Sequence, residues 1–325
     1  MEAISLNRTP WGAAGVNVNS ENVGDALAEA GLDWTVTGQS LFTTMNNDNL
    51  ANLQMVNSHK AIVRDTDDVI LGIVGHKWNI LQNQEVFSFI DDLAKMGIVK
   101  YSSAGSFKDG KIVWVQAEYQ ESEILPNDIH KKHLLVTNAF DGTFSVRIGW
   151  SDMRVVCANM IRAAHAQMLE STNFTIRHTA SMRNKIDIAK QALLLAEDQS
   201  QMFDAFQKSL TRLYMTDGMK KELLNTLIPL PSEGNTTRSI NIQADINSLA
   251  VRGRGQDIAG VAGTGYAYLN AVSEYVNYHR TTRGKTSIER DSNRFQAALF
   301  GSGNKMIMDT IDTLNGFLVN QGLQV

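Results

Sequence analysis

Two Asp-Gly dipeptides, Asp109-Gly110 and Asp141-Gly142, most constrain this chain. Each lies between strand-like runs, Ile98–Phe107 and Lys111–Tyr119 in one case, His133–Phe140 and Thr143–Trp150 in the other. Asp-Gly between such runs is a strong hairpin signal, because glycine and aspartate reach the positive φ angles that a tight β-turn needs. Two consecutive hairpins predict an antiparallel sheet of about four strands. An earlier strand pair, Lys60–Arg64 and Val69–Val74 around Asp65–Asp68, extends it.

Helical periodicity surrounds this block. A short helix is expected around Val23–Ala30, ended by Gly31, and another over Gln84–Met96 with Gly97 at its C-terminal cap. A helix is also expected over Met153–Leu169. At about 100° per residue, Val156, Cys157, Met160 and Ile161 share one face, while Arg154, Arg162 and His165 share the other. From Ala180 onward helices dominate: Ala180–Tyr214, Thr216–Leu227, Asn241–Val251, Tyr266–Arg280, Asp291–Phe300 and Lys305–Asn320. The glycine-rich stretch Arg252–Gly265 reads as a mobile connection. The fold class expected is α+β, a central antiparallel sheet followed by a mostly helical C-terminal half. Three regions follow: an acidic segment over 1–60, a β-hairpin and helix core over 61–180, and a helical region over 181–325.

At 325 residues, 43% hydrophobic and 20% charged, the chain has globular composition and length for a large core. The net charge of −4 excludes a protein that coats DNA through bulk positive charge. Its distribution is uneven. Residues 147–190 hold seven basic side chains against three acidic, and residues 252–305 hold eight against four. The first fifty residues hold six acidic side chains and one basic. Two positive segments in an acidic chain suggest a confined anion-binding surface.

Catalytic constellations are missing from the pattern. Gly284-Lys285-Thr286 lacks the earlier glycine of a phosphate loop, since His279 stands there, and a helix precedes it where a strand belongs. No Gly-x-Ser-x-Gly elbow occurs, and Cys157, the single cysteine, falls on the apolar face of its expected helix. The His130/His133 pair is the nearest approach to a zinc spacing. The expectation is a non-enzyme without metal or cofactor. One cysteine, no signal-like N-terminus and no long apolar run point to the cytoplasm, with no membrane contact.

Positive charge beside aromatic residues remains. Single-stranded nucleic acid is held by such basic tracks together with stacking platforms, each stacked base contributing about 1–3 kcal/mol. The residues expected to contact nucleic acid are Lys108, Lys111, Arg147, Arg154, Arg162, Arg177, His178, Arg183 and Lys185. Tyr101, Trp114, Phe140, Phe144 and Trp150 are the candidate platforms, with Trp114 favoured as core.

Several ordered segments carry a family resemblance: Thr9-Pro10-Trp11, Ala30–Trp34, Leu71–Phe89, Ala104–Tyr119, Leu135–Ala163, Ile176–Thr179, Asn270–His279 and Phe300–Gly303. Through them the chain resembles the phage/plasmid-like family known as domain of unknown function number nine hundred and thirty-two. One departure is Trp11-Gly12-Ala13-Ala14-Gly15, where the family usually has Trp-His-Gly-Leu-Gly. The resemblance implies a phage or mobile-element origin and a bacterial host cytoplasm. The hairpin-and-helix block is more distantly similar to single-strand annealing proteins of the RecT, Red-beta and Erf type. That likeness implies a homo-oligomeric ring or filament that binds and anneals single-stranded DNA in recombination or replication, without nucleotide hydrolysis. The rival expectation is a phage module that binds a host or defence protein.

Overall fold

The computed structural model describes residues 14–44, 53–144, 146–156, 159–161, 174–176, 185–232 and 236–323. In chain order the strands are β1 (Gly15–Asn17), β2 (Val36–Thr44), β3 (Leu53–Arg64), β4 (Ile70–Gly75), β5 (Lys100–Phe107), β6 (Ile112–Glu123), β7 (Ile129–Ala139), β8 (Val146–Arg154), β9 (Asn159–Ile161) and β10 (Phe174–Ile176). Two helices, α1 (Val23–Glu29) and α2 (Asn83–Lys95), sit among them. The C-terminal half comprises α3 (Lys185–Leu210), α4 (Asp217–Leu227), α5 (Thr237–Arg252), α6 (Gly265–Glu274), a π-helical turn (Tyr275–His279), α7 (Ser287–Phe300) and α8 (Ser302–Asn320). The fold is α+β.

The main sheet runs in the order β1-β5-β6-β7-β8-β10, with β9 also pairing β8, and every pairing is antiparallel. Both Asp-Gly turns form as expected. Lys108, Asp109 and Gly110 have φ of 51°, 57° and 93°, and Gly142 has 74°. The earlier strand pair does not extend the main sheet: with β2 it forms a second, separate antiparallel sheet, β2-β3-β4. Its strand β3 runs unbroken through residue 60, so the first regional boundary expected from sequence falls inside a strand.

Strand alternation sends side chains of the main sheet into two cores. On one face Val113, Val115, Leu134, Val136 and Ile148 pack with α1, α2 and the second sheet. Gln82 ties these layers together, its side-chain amide exchanging two 2.9 Å hydrogen bonds with the backbone of Val36. Further along the same face Trp150 meets Phe203 of α3 at 5.5 Å between ring centroids. On the opposite face Ile112, Trp114, Leu135 and Met153 pack with Phe295 and Leu299 of α7. Trp114 is fully buried there, edge-on to Phe295 at 5.7 Å. The helical half therefore clasps the sheet from both sides.

The helix expected over Met153–Leu169 is corrected. Strand β8 continues to Arg154, and β9 returns alongside it, pairing Asp152–Arg154 with Asn159–Ile161. The charged side chains of β8 face inward to charged partners, so their periodicity is that of a strand. Cys157 and residues 162–169 lie outside the described residues. The glycine-rich stretch after α5 is a series of tight turns held by named bonds: Glu274 Oε2 accepts from Arg254 N at 3.0 Å, and Gln256 Nε2 donates to Ala267 O at 3.1 Å.

Candidate nucleic-acid interface

Of the basic residues expected to form one interface, the structure describes the side chains of Lys108, Lys111, Arg147 and Arg154, and it sets Arg154 apart from the other three. Arg154 is a correction: it is buried, not solvent-facing. Its Nε and Nη2 donate to the two carboxylate oxygens of Asp128 at 2.6 and 3.0 Å, and Nη2 also donates to Gly255 O at 2.9 Å. A guanidinium so engaged has no fork left for a phosphate. Arg147, two cross-strand positions away from the Asp-Gly end, is partly buried with its guanidinium 4.5 Å from the Phe144 ring centre. Lys108 is exposed in the first hairpin turn and Lys111 is partly buried beside it. Arg162, Arg177, His178 and Arg183 lie outside the described residues, and Lys185 opens α3 with its side chain outside them too. Of the candidate platforms, Tyr101, Trp114, Phe140 and Trp150 are buried in the cores. Trp150 donates to Gln199 Oε1 at 2.7 Å.

What sequence reasoning missed is the polar seam around Arg154. Cross-strand register sets His130 opposite Arg154 and Lys132 opposite Asp152. His130 Nδ1 lies 2.8 Å from Asp152 Oδ2, and its Nε2 lies 2.8 Å from the Tyr266 hydroxyl, which donates to Asp128 Oδ2 at 2.7 Å. Lys132 Nζ bridges Asp152 and Asp204, and Gln207 Nε2 donates to Asp152 at 2.9 Å. Burial alone would raise the Asp152 carboxyl, but the charges of His130 and Lys132 outweigh it and hold that carboxyl well below the usual range. Asp128, Asp152 and Asp204 thus lie against Lys132, Arg154 and the His130 ring, out of solvent. The arrangement joins β7 and β8 to α3 and α6; it is a structural tie, since Asp128, His130, Lys132, Asp152 and Arg154 are all at most 2% exposed.

His133, three residues from His130, faces the other side of the sheet, so the two cannot share a metal. It is buried with its Nδ1 unpartnered, and burial with the nearby lysine charges pushes its imidazole down to about 4. Among the described residues no group of three His, Cys, Asp or Glu side chains could hold a metal, and no helix is long and apolar enough to cross a membrane.

The second positive segment does build a concave surface. A groove of about 940 Å³ opens between α4, α5, the π turn and the start of α8, with Arg238, Tyr275, His279, Arg280, Ser302 and Lys305 on its walls. The π turn is closed by the Arg280 N–H donating to Tyr275 O at 2.8 Å, five residues back. Such turns are frequent at functional sites because the extra residue redirects side chains. Here Arg280 is turned onto the N-terminus of α8, where its Nη2 donates to Ser302 Oγ at 2.8 Å and its buried Nη1 has no partner. Helix α8 starts from Gly301, which offers no side-chain cap, and Gly303 lets it approach closely: a Cβ there would lie 2.9 Å from Val276 and from Ala297 O.

The first turn of the 19-residue α8 offers N–H groups beside the Arg280 guanidinium, a pairing that suits an anion, while the C-terminal end of α7 meets it at Gly301. Lys305 is exposed and paired with Asp309 at 2.8 Å, a contact of little energetic weight that a phosphate can displace. Asp245 and Asp309 temper the positive charge of the groove. Exposed Arg283 and Lys285, in the loop entering α7, continue the basic surface beyond it. Lys285 is the lysine of the rejected phosphate-loop pattern. The next residue, Thr286, caps α7 by accepting from Glu289 N at 3.1 Å. Arg238 lies outside both positive segments, and nothing in the linear charge pattern singles it out.

No curated protein and no solved structure matches the chain. The family profile described as "Domain of unknown function (DUF932)" matches residues 70–299, from β4 to the end of α7. That span takes in the main sheet from β5 onward, the buried ionic seam and most of the groove. The chain belongs to the DUF932 family.

Proposed function

We propose that this protein is a phage-encoded, oligomeric single-stranded DNA-binding and annealing protein of the bacterial cytoplasm, acting in recombination or replication without nucleotide hydrolysis. The observation that carries this reading is the groove at the π turn, where Arg280 meets the uncapped start of α8 with one guanidinium nitrogen unpartnered. A phosphate at that helix end accepts from the first N–H groups of α8 and from the exposed Arg280 Nη2 in place of Ser302 Oγ. Arg238 and Lys305 stand ready for neighbouring phosphates, and Arg283 and Lys285 extend the path. Contacts of this kind grip the backbone and leave bases free to pair. Annealing requires no proton transfer and no nucleophile, which suits a groove built from cations and hydroxyls. Lys108, Lys111 and Arg147 remain secondary contacts in this reading; Arg154 drops out.

The test is fluorescence anisotropy of a labelled single-stranded oligonucleotide at two salt concentrations, with matched duplex alongside. The expected result is binding that favours the single strand and weakens as salt rises, since phosphate contacts release counterions. Accelerated pairing of complementary oligonucleotides is the expected second result. Absence of binding at low salt overturns the reading.

A further inference from the structure

The hairpin of β2 and β3 outruns the sheet that carries it. Strand β4 pairs only with His59–Val63 of β3, and β2 pairs only with β3. From Leu53 to Met55, β3 therefore has β2 on one side and no β4 partner on the other, while Val56–Ser58 lack a β2 partner and Ser58 O accepts from His76 N at 2.9 Å, among the described residues. Phe42 and Met55 face each other across this ribbon in register, and Leu53 follows two residues along on the same side. They are 55%, 46% and 54% exposed. Side chains on both faces of the ribbon are exposed, with Leu41 and Val56 only partly covered.

A two-stranded ribbon is marginal alone, and native proteins guard free strand edges with charge, proline or bulges. The guard here is one bulge, in which Val56–His59 of β3 stand against the single residue Leu41 of β2. No charged residue and no proline occurs from Val36 to Asn47 or from Asn49 to Ser58, in a chain that is 20% charged. That absence identifies the occupant. A twofold contact brings identical edges together, with residues at the axis against their own copies, so an edge of one charge sign repels itself whereas an uncharged edge pairs freely. A different partner protein is ordinarily steered and registered by complementary charge, which this ribbon does not offer.

We infer that the outer edge of β2 and the Phe42–Met55 face pair with the same ribbon of a second copy of this chain, antiparallel, so that one sheet continues across a twofold axis. The contact names the surface behind the oligomer in the annealing reading, and rests on that reading for its purpose.

The test is the mass of the full chain by light scattering, without DNA, for the wild type, Phe42→Glu, Phe42→Lys and an equimolar mixture of the two variants. The wild type is expected to exceed one chain, each variant to fall in mass, and the mixture to regain it, because opposite charges then face each other. Thr43→Cys in a Cys157→Ser background provides a second measurement that keeps the apolar face intact: oxidation is expected to yield a covalently linked dimer. A wild type that stays monomeric up to roughly 100 μM, charge variants with wild-type mass, or folded variants whose mixture stays small each overturn the pairing. Single-strand affinity on the same samples separates the two ideas. A wild type of oligomeric mass that binds no DNA defeats the annealing reading alone, and a monomeric wild type that binds DNA defeats the ribbon contact alone.

Discussion

Arg154 and Asp128 meet through two parallel bonds, Nε to Oδ1 at 2.6 Å and Nη2 to Oδ2 at 3.0 Å, with neither side chain more than 2% exposed. The planar guanidinium fork fits the carboxylate on both oxygens, and the Tyr266 hydroxyl occupies a further lone pair of Asp128. Strand β8 thereby reaches past its own sheet to the helical half.

Removing one partner strands the other charge in the interior. Asp128→Asn and Arg154→Leu are each expected to cost about 3–5 kcal/mol in urea unfolding. The double variant Asp128→Leu/Arg154→Leu is expected to be more stable than either single change, because no lone charge remains. Equal losses in all three variants would show that packing, not charge, dominates the position.

His133 makes stability depend on pH. The unfolded imidazole takes up a proton below its ordinary 6.5, the folded one only below about 4. The unfolded state therefore binds more protons between those values. Stability is complete above pH 6.5 and falls as pH drops towards 4, by on the order of 3 kcal/mol. Asp152, held below the usual carboxylate range, acts in the same sense only at more acid pH. Urea midpoints from pH 7.5 to 4.5 should show the decline. His133→Phe, which removes the titrating group and its unpartnered Nδ1, should flatten it.

Arg280 carries the groove. Arg280→Ala is expected to weaken single-strand binding several-fold at moderate salt and to reduce the salt slope by about 1. Its thermal midpoint is expected to stay close to wild type, since the hydrogen bond to Ser302 is exposed. Arg154→Lys provides the contrast, with lower stability and unchanged affinity of the folded protein. Anisotropy and thermal melts on both variants decide between the two positions.

Gly255 and Gly97 have almost the same φ, +70° and +72°, in different surroundings. A Cβ at Gly97 meets nothing within 4 Å, whereas one at Gly255 lies 2.6 Å from Val156 and 3.0 Å from Arg154 Nη1. Gly97→Ala is expected to cost about 1 kcal/mol from backbone strain alone. Gly255→Ala should cost more, because it also displaces the buried arginine. Equal costs in urea unfolding would show that the Arg154 contact adds nothing.

The local rules were legible in the sequence. Both Asp-Gly hairpins, the α2 helix and the helices between Thr216 and Asn320 fall close to where turn chemistry and apolar spacing set them. Two errors share one cause, the assumption that polar residues face water. Periodicity puts Arg154 on the polar face of an expected helix, yet strand register delivers it and Asp152 to His130 and Lys132, and the loop residue Asp128 completes the match. Strand β2 and the outer half of β3 went unseen because Thr, Gln, Ser and Asn line a ribbon that buries little. The groove was harder still. Its walls come from residues 227–309 across four elements, and a π turn leaves no distinct spacing to read.

The ionic seam also sets how the molecule comes apart. Five of its six ionisable side chains come from the β6–β8 segment, and Asp204 of α3 and the Tyr266 hydroxyl of α6 complete their partnering. Peeling the helices from the strands would leave Lys132 without Asp204 and Asp128 without the Tyr266 hydroxyl, each facing a half-dry wall. No intermediate with one half molten and the other intact is cheap to populate. Heat is thus expected to melt strands and helices together, and calorimetry should record one peak whose van't Hoff and measured enthalpies agree.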